Sequence, residues 1–289
     1  MKVCVYKEYG ALNSKPVFEA FEQGVLANRD HLVSSYEEAD CVVIWSVLFQ
    51  GRMAANKAIW ERAQKDKKPV IVLEVGTLKR NETWRVGING INRDAQFNEF
   101  YNISPQRHKL LNVNLDPWQD NNKEFVTIAT QRPDSLQWVG MPSVESWLHN
   151  VITKVKQHSK RPIVIRPHPR DKITDWQVVS SMNPGVYFDV PKSVGNYDSV
   201  NFNDILSRTH ILINHCTSPA IEAVLRGVPV VVGEPSMCYD LRTEIENIED
   251  PYKADEQTRA IWRDKLCHTE WFVHEIESGE PWERLRLLV

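Results

Sequence analysis

The sequence predicts an α/β protein: two Rossmann-like domains facing across a cleft, with a C-terminal helix packing back. Three observations predict it. Short runs rich in Val and Ile, apolar at consecutive positions, recur along the chain, as strands buried on both faces do. Stretches with apolar residues at helical spacing separate them, the pattern of right-handed crossovers in a parallel sheet. The alternation lapses over residues 80–122 and restarts at 124. That places an N-terminal Rossmann-like domain at 1–118 and a C-terminal one at 119–289, whose last helices can cross back.

The elements follow in order. "KVCVY" (2–6) is a first strand, and residues 15–28 place Val17, Phe18, Phe21 and Val25 on one helical face. "DCVVIWSV" (40–47) is a buried strand, 53–65 a helix with Ala54, Ala58, Ile59 and Ala63 inward, and "KPVIVLEVG" (68–76) a third strand. The second half reads as strands at 124–130, 161–166, 185–190 and 210–215 with helices at 142–158 and 202–208. "TSPAIEAVLRG" then opens a helix that leads into the strand "VPVVV". Residues 255–288 read as helical, with Ile261, Trp262, Leu266, Trp271, Phe272 and Ile276 as the apolar face.

Composition narrows the function class. The 289 residues carry a formal charge of −3 and are 42% hydrophobic, enough for a large core without an overall basic coat. The five cysteines are scattered and form no CxxC pair, which argues against a disulfide framework or a zinc site and for a reducing cytoplasm. No apolar run reaches the ~18–20 residues of a membrane span. The GxGxxG, GxxxxGK[ST], GxSxG and HExxH patterns are absent.

Ligands of open parallel sheets bind at the carboxyl ends of strands, and polar clusters follow four of the predicted strands. In "NHCTSPAIEAVLRGVPVVVG" (214–233), Thr217, Ser218 and Pro219 stand at a helix start. A helix mouth offers free N–H groups and a positive dipole end to an anion; the same residues also make an ordinary capped helix. Glu222 falls one turn in. "IRPHPRD" (165–171) stiffens a strand exit with two prolines and alternates Arg166, His168 and Arg170, a pattern suited to phosphate or to a basic surface turn. "ATQRPDSLQ" (129–137) supplies Gln131, Arg132, Asp134 and Ser135, as a site or as a turn with a helix cap. "LEVGTLKRNETWRVGINGINRD" (73–94) ends an apolar strand on Glu74; such a carboxylate, if desolvated, suits a general base. Asp94 closes that stretch as the second catalytic candidate.

The order "LEVG…GING", "TQRPDS", "RPHPRD", "TSPAIEAVLRGVPVVV" resembles the GT-B glycosyltransferases. It is most similar to the branch of capsular-polysaccharide sugar transferases, whose signatures include E-x-G, H-P and S-x-x-x-E-A-x-x-x-G-x-P-V. "TEWFVHEIESGEPWERL" is similar to that branch's C-terminal helix. The likeness covers residues 70–289. It implies that Ser218 contacts donor phosphates and Glu222 the nucleotide ribose. His168 implies phosphate recognition, with Arg166 beside it; Gln131, Asp134 and Ser135 would line the cleft, and Glu74 would be the base. The donor-binding set is therefore Gln131, Arg132, Ser135, Arg166, His168, Arg170, Thr217, Ser218 and Glu222. A nucleotide sugar is the expected co-substrate, a UDP-sugar favoured, with no metal and no other cofactor.

The chain also looks like the small bacteriophage glycosyltransferases that modify hydroxymethylated pyrimidines in duplex DNA. Lys79, Arg80, Trp84, Arg85 and Arg93 form a basic-aromatic stretch, and 106–109 reads "QRHK". Such a patch suits backbone phosphate and an extruded base, so duplex DNA is the expected acceptor and the host cytoplasm the expected location. A saccharide acceptor with a CMP- or UDP-sugar donor, and a non-enzymatic nucleotide-sugar binding module, are the alternatives.

Overall fold

The structure, a computed structural model, describes residues 1–98, 101–190, 193–194, 197–198 and 202–289. In chain order it contains β1 (Lys2–Val5), α1 (Lys15–Ala27), β2 (His31–Val33), β3 (Cys41–Trp45), α2 (Asn56–Asp66), β4 (Val70–Val75), β5 (Thr83–Ile88) and α3 (Arg107–Leu110). Next come β6 (Phe125–Ala129), α4 (Val144–His158), β7 (Ile163–Arg166), α5 (Trp176–Met182), β8 (Tyr187–Phe188) and the small antiparallel pair β9 (Ser193–Val194) and β10 (Tyr197–Asp198). The chain continues through α6 (Phe202–Arg208), β11 (Thr209–Asn214), α7 (Ser218–Leu225) and β12 (Val230–Val232). It ends with α8 (Glu256–Cys267), β13 (Glu270–Phe272), α9 (Val273–Ser278) and α10 (Glu280–Leu285).

Two compact units result: Met1–Val113 with Ala260–Val289, and Asn114–Arg259. The division falls after Val113 rather than at 118, because Asp116 and Gln119 donate their N–H groups to Leu225 and Gly227 of the second unit. The second division lies inside α8, so residues 260–289 belong to the first unit.

The first unit's sheet has the order β13-β5-β4-β3-β1-β2. β1 to β4 are parallel, whereas β5 and β13 run antiparallel to their neighbours. Val17, Phe18, Phe21 and Val25 of α1 are fully buried against Trp45, Leu73 and Trp84. α9 approaches α1 at Gly24, where a Cβ would stand 2.3 Å from the Ile276 carbonyl oxygen; only glycine admits that approach. Trp282 of α10 donates to Asp30 at 2.8 Å.

Three expectations change in this unit. β5 lies in a stretch read as irregular: Trp84, Val86 and Ile88 point into the core, leaving Arg85 and Gly87 on the opposite face. The predicted continuous C-terminal helix is broken: Trp271 and Phe272 lie in β13, Ile261 is exposed, and Gly279 (φ +89) separates α9 from α10. Of the residues expected inward over 53–65, Ala63 is buried, but Ala58 of α2 is exposed, as is Ala54, which lies before α2 begins. In each case local spacing misled because a long-range strand pairing or the edge of the sheet decides burial.

The second unit is a parallel sheet in the order β12-β11-β6-β7-β8. Val126, Ile128, Ile165 and Ile213 pack against Leu148, Ile152 and Val155 of α4. α5, which carries no strong apolar period, starts where Asp175 caps the N–H groups of Gln177 and Val178. Among the described residues no helix is long and apolar enough to cross a membrane.

Candidate functional site

In the second unit the chain leaves β6 first toward β7 and later returns on the other side as β11. The topological switch therefore lies at the carboxyl end of β6, where open α/β sheets bind ligands. With strands ~4.8 Å apart, the exits of β7, β6 and β11 span roughly 10 Å.

Side chains tie these three exits together. Asn214, buried at the end of β11, donates to the Ala129 carbonyl at 2.8 Å and to Thr217 Oγ1 at 2.6 Å, and its Oδ1 accepts the Thr217 N–H at 2.6 Å. Gln131 accepts from Cys216 Sγ at 3.1 Å and donates to Ser135 Oγ at 2.9 Å. Thr130 Oγ1 accepts the His168 N–H at 2.9 Å. Sequence reasoning passed over Asn214 and Cys216; what could have found them is their place between a buried strand and a helix start.

The start of α7 is the decisive detail. Ser143 and Asp175 cap α4 and α5 with side-chain hydrogen bonds. Thr217 makes no such bond to α7, its hydroxyl being engaged by Asn214. The first turn at the switch point thus has no side-chain cap. Pro219 carries no N–H and the Ala220 N–H donates to the Thr217 carbonyl at 3.2 Å, so the exposed Ser218, with its N–H and hydroxyl, is the donor at the mouth. Glu222 does not turn back to this mouth. It accepts from Arg226 at 3.2 Å, one turn further along.

The three cations expected in "IRPHPRD" are reduced to two. Burial, aided by the charges of Arg132 and Arg170, pushes the His168 pKa down to about 4, so the imidazole is neutral at physiological pH. Its Nδ1 accepts the Arg170 N–H at 3.1 Å, which leaves the proton on Nε2. Arg166 is buried and paired with Asp189, Arg132 is forked onto Asp134 at 2.8 and 2.5 Å, and Arg170 is exposed. Beside His168 a cavity of about 690 Å³ opens, walled by Pro167, Pro169, Trp176 and Phe188.

In the first unit Glu74 sits near the carboxyl end of β4, half-buried. Loss of hydration raises its pKa, against hydrogen bonds from Ser46 and the Val75 N–H and the charges of Arg85 and Arg80. A carboxylate with a raised pKa is a competent general base near neutrality. Ser46 holds a left-handed backbone (φ +62) at the exit of β3, a strained conformation of the kind stored at functional sites. Asp94 is exposed on the loop after β5; partial loss of hydration raises its pKa, against hydrogen bonds that include the Asn92 N–H at 3.2 Å. No direct hydrogen bond or ion pair joins Asp94 to Glu74.

The basic-aromatic patch does not assemble. Lys79 pairs with Glu82 at 3.7 Å, and Arg80 and Arg93 are exposed. Trp84 is in the core, its ring 5.6 Å from that of Trp45. Arg85 is buried and bound to Glu270 at 2.8 Å. Arg107 of "QRHK" is buried too: it forks onto Glu275 at 2.6 and 2.8 Å, donates to the Cys267 and Glu270 carbonyls, and stacks on Trp271.

A solved structure with the same architecture is the Thermosulfurimonas dismutans KpsC β-Kdo 2,7 transferase: TM-score 0.57, 16% identity, 99% of both chains covered. The fold is GT-B. A second structure, the β-Kdo 2,4 transferase of KpsC from the same organism, has a TM-score of 0.49 at 15% identity, covering 86% of this chain and 89% of its own. No family model matches the sequence, and no curated protein does. Such a switch point is where open α/β sheets bind ligands, and within the first unit Glu74 lies near the carboxyl end of β4.

Proposed function

We propose that this chain is a glycosyltransferase that moves a sugar from a nucleotide-sugar donor to the hydroxyl of a saccharide acceptor. The uncapped start of α7 at the switch point carries the reading, because it supplies the N–H and hydroxyl of Ser218 and a dipole end where a donor phosphate would lie. The donor is bound there, with the Nε2–H of neutral His168 as a further donor of a hydrogen bond. Glu74 takes the proton of the acceptor hydroxyl as the acceptor oxygen bonds to the anomeric carbon. The bond from that carbon to the phosphate oxygen breaks, and its electron pair leaves with the phosphate, whose charge the helix start stabilises. A saccharide is favoured because a fold match above is named as a Kdo transferase. The surface that suggested DNA is divided between core and solvent.

Thr217→Asp tests the donor seat. It adds a side-chain cap and a negative charge, so it should raise helix stability by about 0.5–1 kcal/mol. The parent chain should bind UDP or CMP by calorimetry, and the variant should lose that binding. Undiminished nucleotide binding would remove the seat from α7. Nucleotide release from UDP- and CMP-sugars, followed with saccharide acceptors and with hydroxymethylcytosine DNA, tests the acceptor. Stimulation by the DNA alone would reverse the choice.

A further inference from the structure

Glu270 comes from β13, close to the C-terminal end of the chain, and is fully buried. Its carboxylate accepts the N–H groups of Thr77 at 2.7 Å and Leu78 at 2.9 Å, the Thr83 hydroxyl at 3.0 Å and Arg85 Nη2 at 2.8 Å. Two of these donors belong to the loop that directly follows Glu74. Gly76 makes room for it: a Cβ there would lie 2.6 Å from Glu270 Oε2.

The strand register explains why this matters. Glu74 of β4 is paired directly with Arg85 of β5, and Arg85 directly with Glu270 of β13. Directly opposed residues share a sheet face, with Cβ atoms ~5 Å apart. Arg85 therefore stands between two carboxylates. Its guanidinium goes to Glu270, Thr77 and the Ile91 carbonyl, and among the described residues no cation forms an ion pair with Glu74.

We propose that Glu270 is a positioning residue for Glu74: it engages Arg85 and fixes the 76–78 loop, and so keeps the Glu74 carboxylate out of an ion pair. The inference rests on the reading of Glu74 as the base. The other charge that acts on Glu74 is Arg80 on the following loop; being a cation, it does not neutralise Arg85 as Glu270 does. Without Glu270 the charge of Arg85 would fall on Glu74, making it a weaker base.

The test follows Glu74 directly, by ¹³C NMR titration of glutamate carboxyls in the full chain, with Glu74→Gln to assign the signal. In Glu270→Gln the Glu74 titration should move down by about one to three pH units, the usual effect of an opposite charge a few ångströms away. Because an unpaired buried Arg85 can unfold the chain, the double variant Arg85→Met/Glu270→Gln carries the test independently. There both charges are gone, and the titration should move above the parent value. An unmoved Glu74 titration in the folded variants, or one moving the opposite way, overturns the proposal. The acid limb of kcat/KM should shift with it. If the titration shifts but Glu74→Gln transfers sugar at the parent rate, the positioning stands and the base assignment fails.

Discussion

The two units solve the same problem, a polar site at the exits of buried strands, with opposite materials. The second unit links its strand exits through neutral groups, namely an uncapped helix start, Asn214, Gln131, Thr130 and an imidazole held uncharged, with its charges paired beside them as Arg166–Asp189 and Arg132–Asp134. Most of its bonds join loops that each follow a strand of the same small sheet. The first unit uses buried charge, in Glu74, Arg85 and Glu270, and joins residues 193 positions apart. The contrast teaches that the motif-rich unit is assembled from local loops, whereas the unit with the candidate base depends on the chain's return.

The comparison is broken most directly at Glu74. Glu74→Gln should lower the transfer rate about 10²–10⁴-fold, the usual contribution of a general base, with donor affinity by calorimetry unchanged. A variant that lost donor binding instead would erase the division of labour between the units.

Arg107 probes the return of the chain. Arg107→Ala leaves Glu275 buried without its partner, so denaturant unfolding should show a loss of about 3–5 kcal/mol. Lys79→Ala, which removes one half-buried ion pair near the surface, should cost less than about 1 kcal/mol. If Arg107→Ala proved as mild, the C-terminal segment would not be held by buried charge.

The smallest effect concerns His168 and sharpens the neutral character of the second unit. Its folded pKa, about 4, lies below the ordinary 6.5, so the unfolded chain binds the proton more readily. The stability it contributes is present above pH 6.5 and is lost as pH falls toward 4. His210, His215 and His268 are depressed in the same direction. His168→Asn should therefore flatten, without abolishing, the fall of urea stability between those pH values. An unchanged slope would mean that the imidazole is hydrated and charged.

Continuous Val/Ile runs and helical spacing determined the parallel cores of both halves. β3, β4, β6, β7 and β11 stand where those runs are, because a strand buried on both faces has nowhere to hide a polar residue. Gln131, His168 and the α7 start were legible for the same reason: polar residues at the end of an apolar run mark the strand exit. Only the tertiary structure decided what the charged residues do. Arg85 and Arg107 look like surface cations in sequence, yet both are buried because a carboxylate from the last 20 residues meets each one. Glu270 and Ser46 gave no local signal, since one acts through register across three strands and the other through its backbone angle. A pairing set by strand register leaves no periodicity along the chain, so it becomes visible only when the strands are side by side.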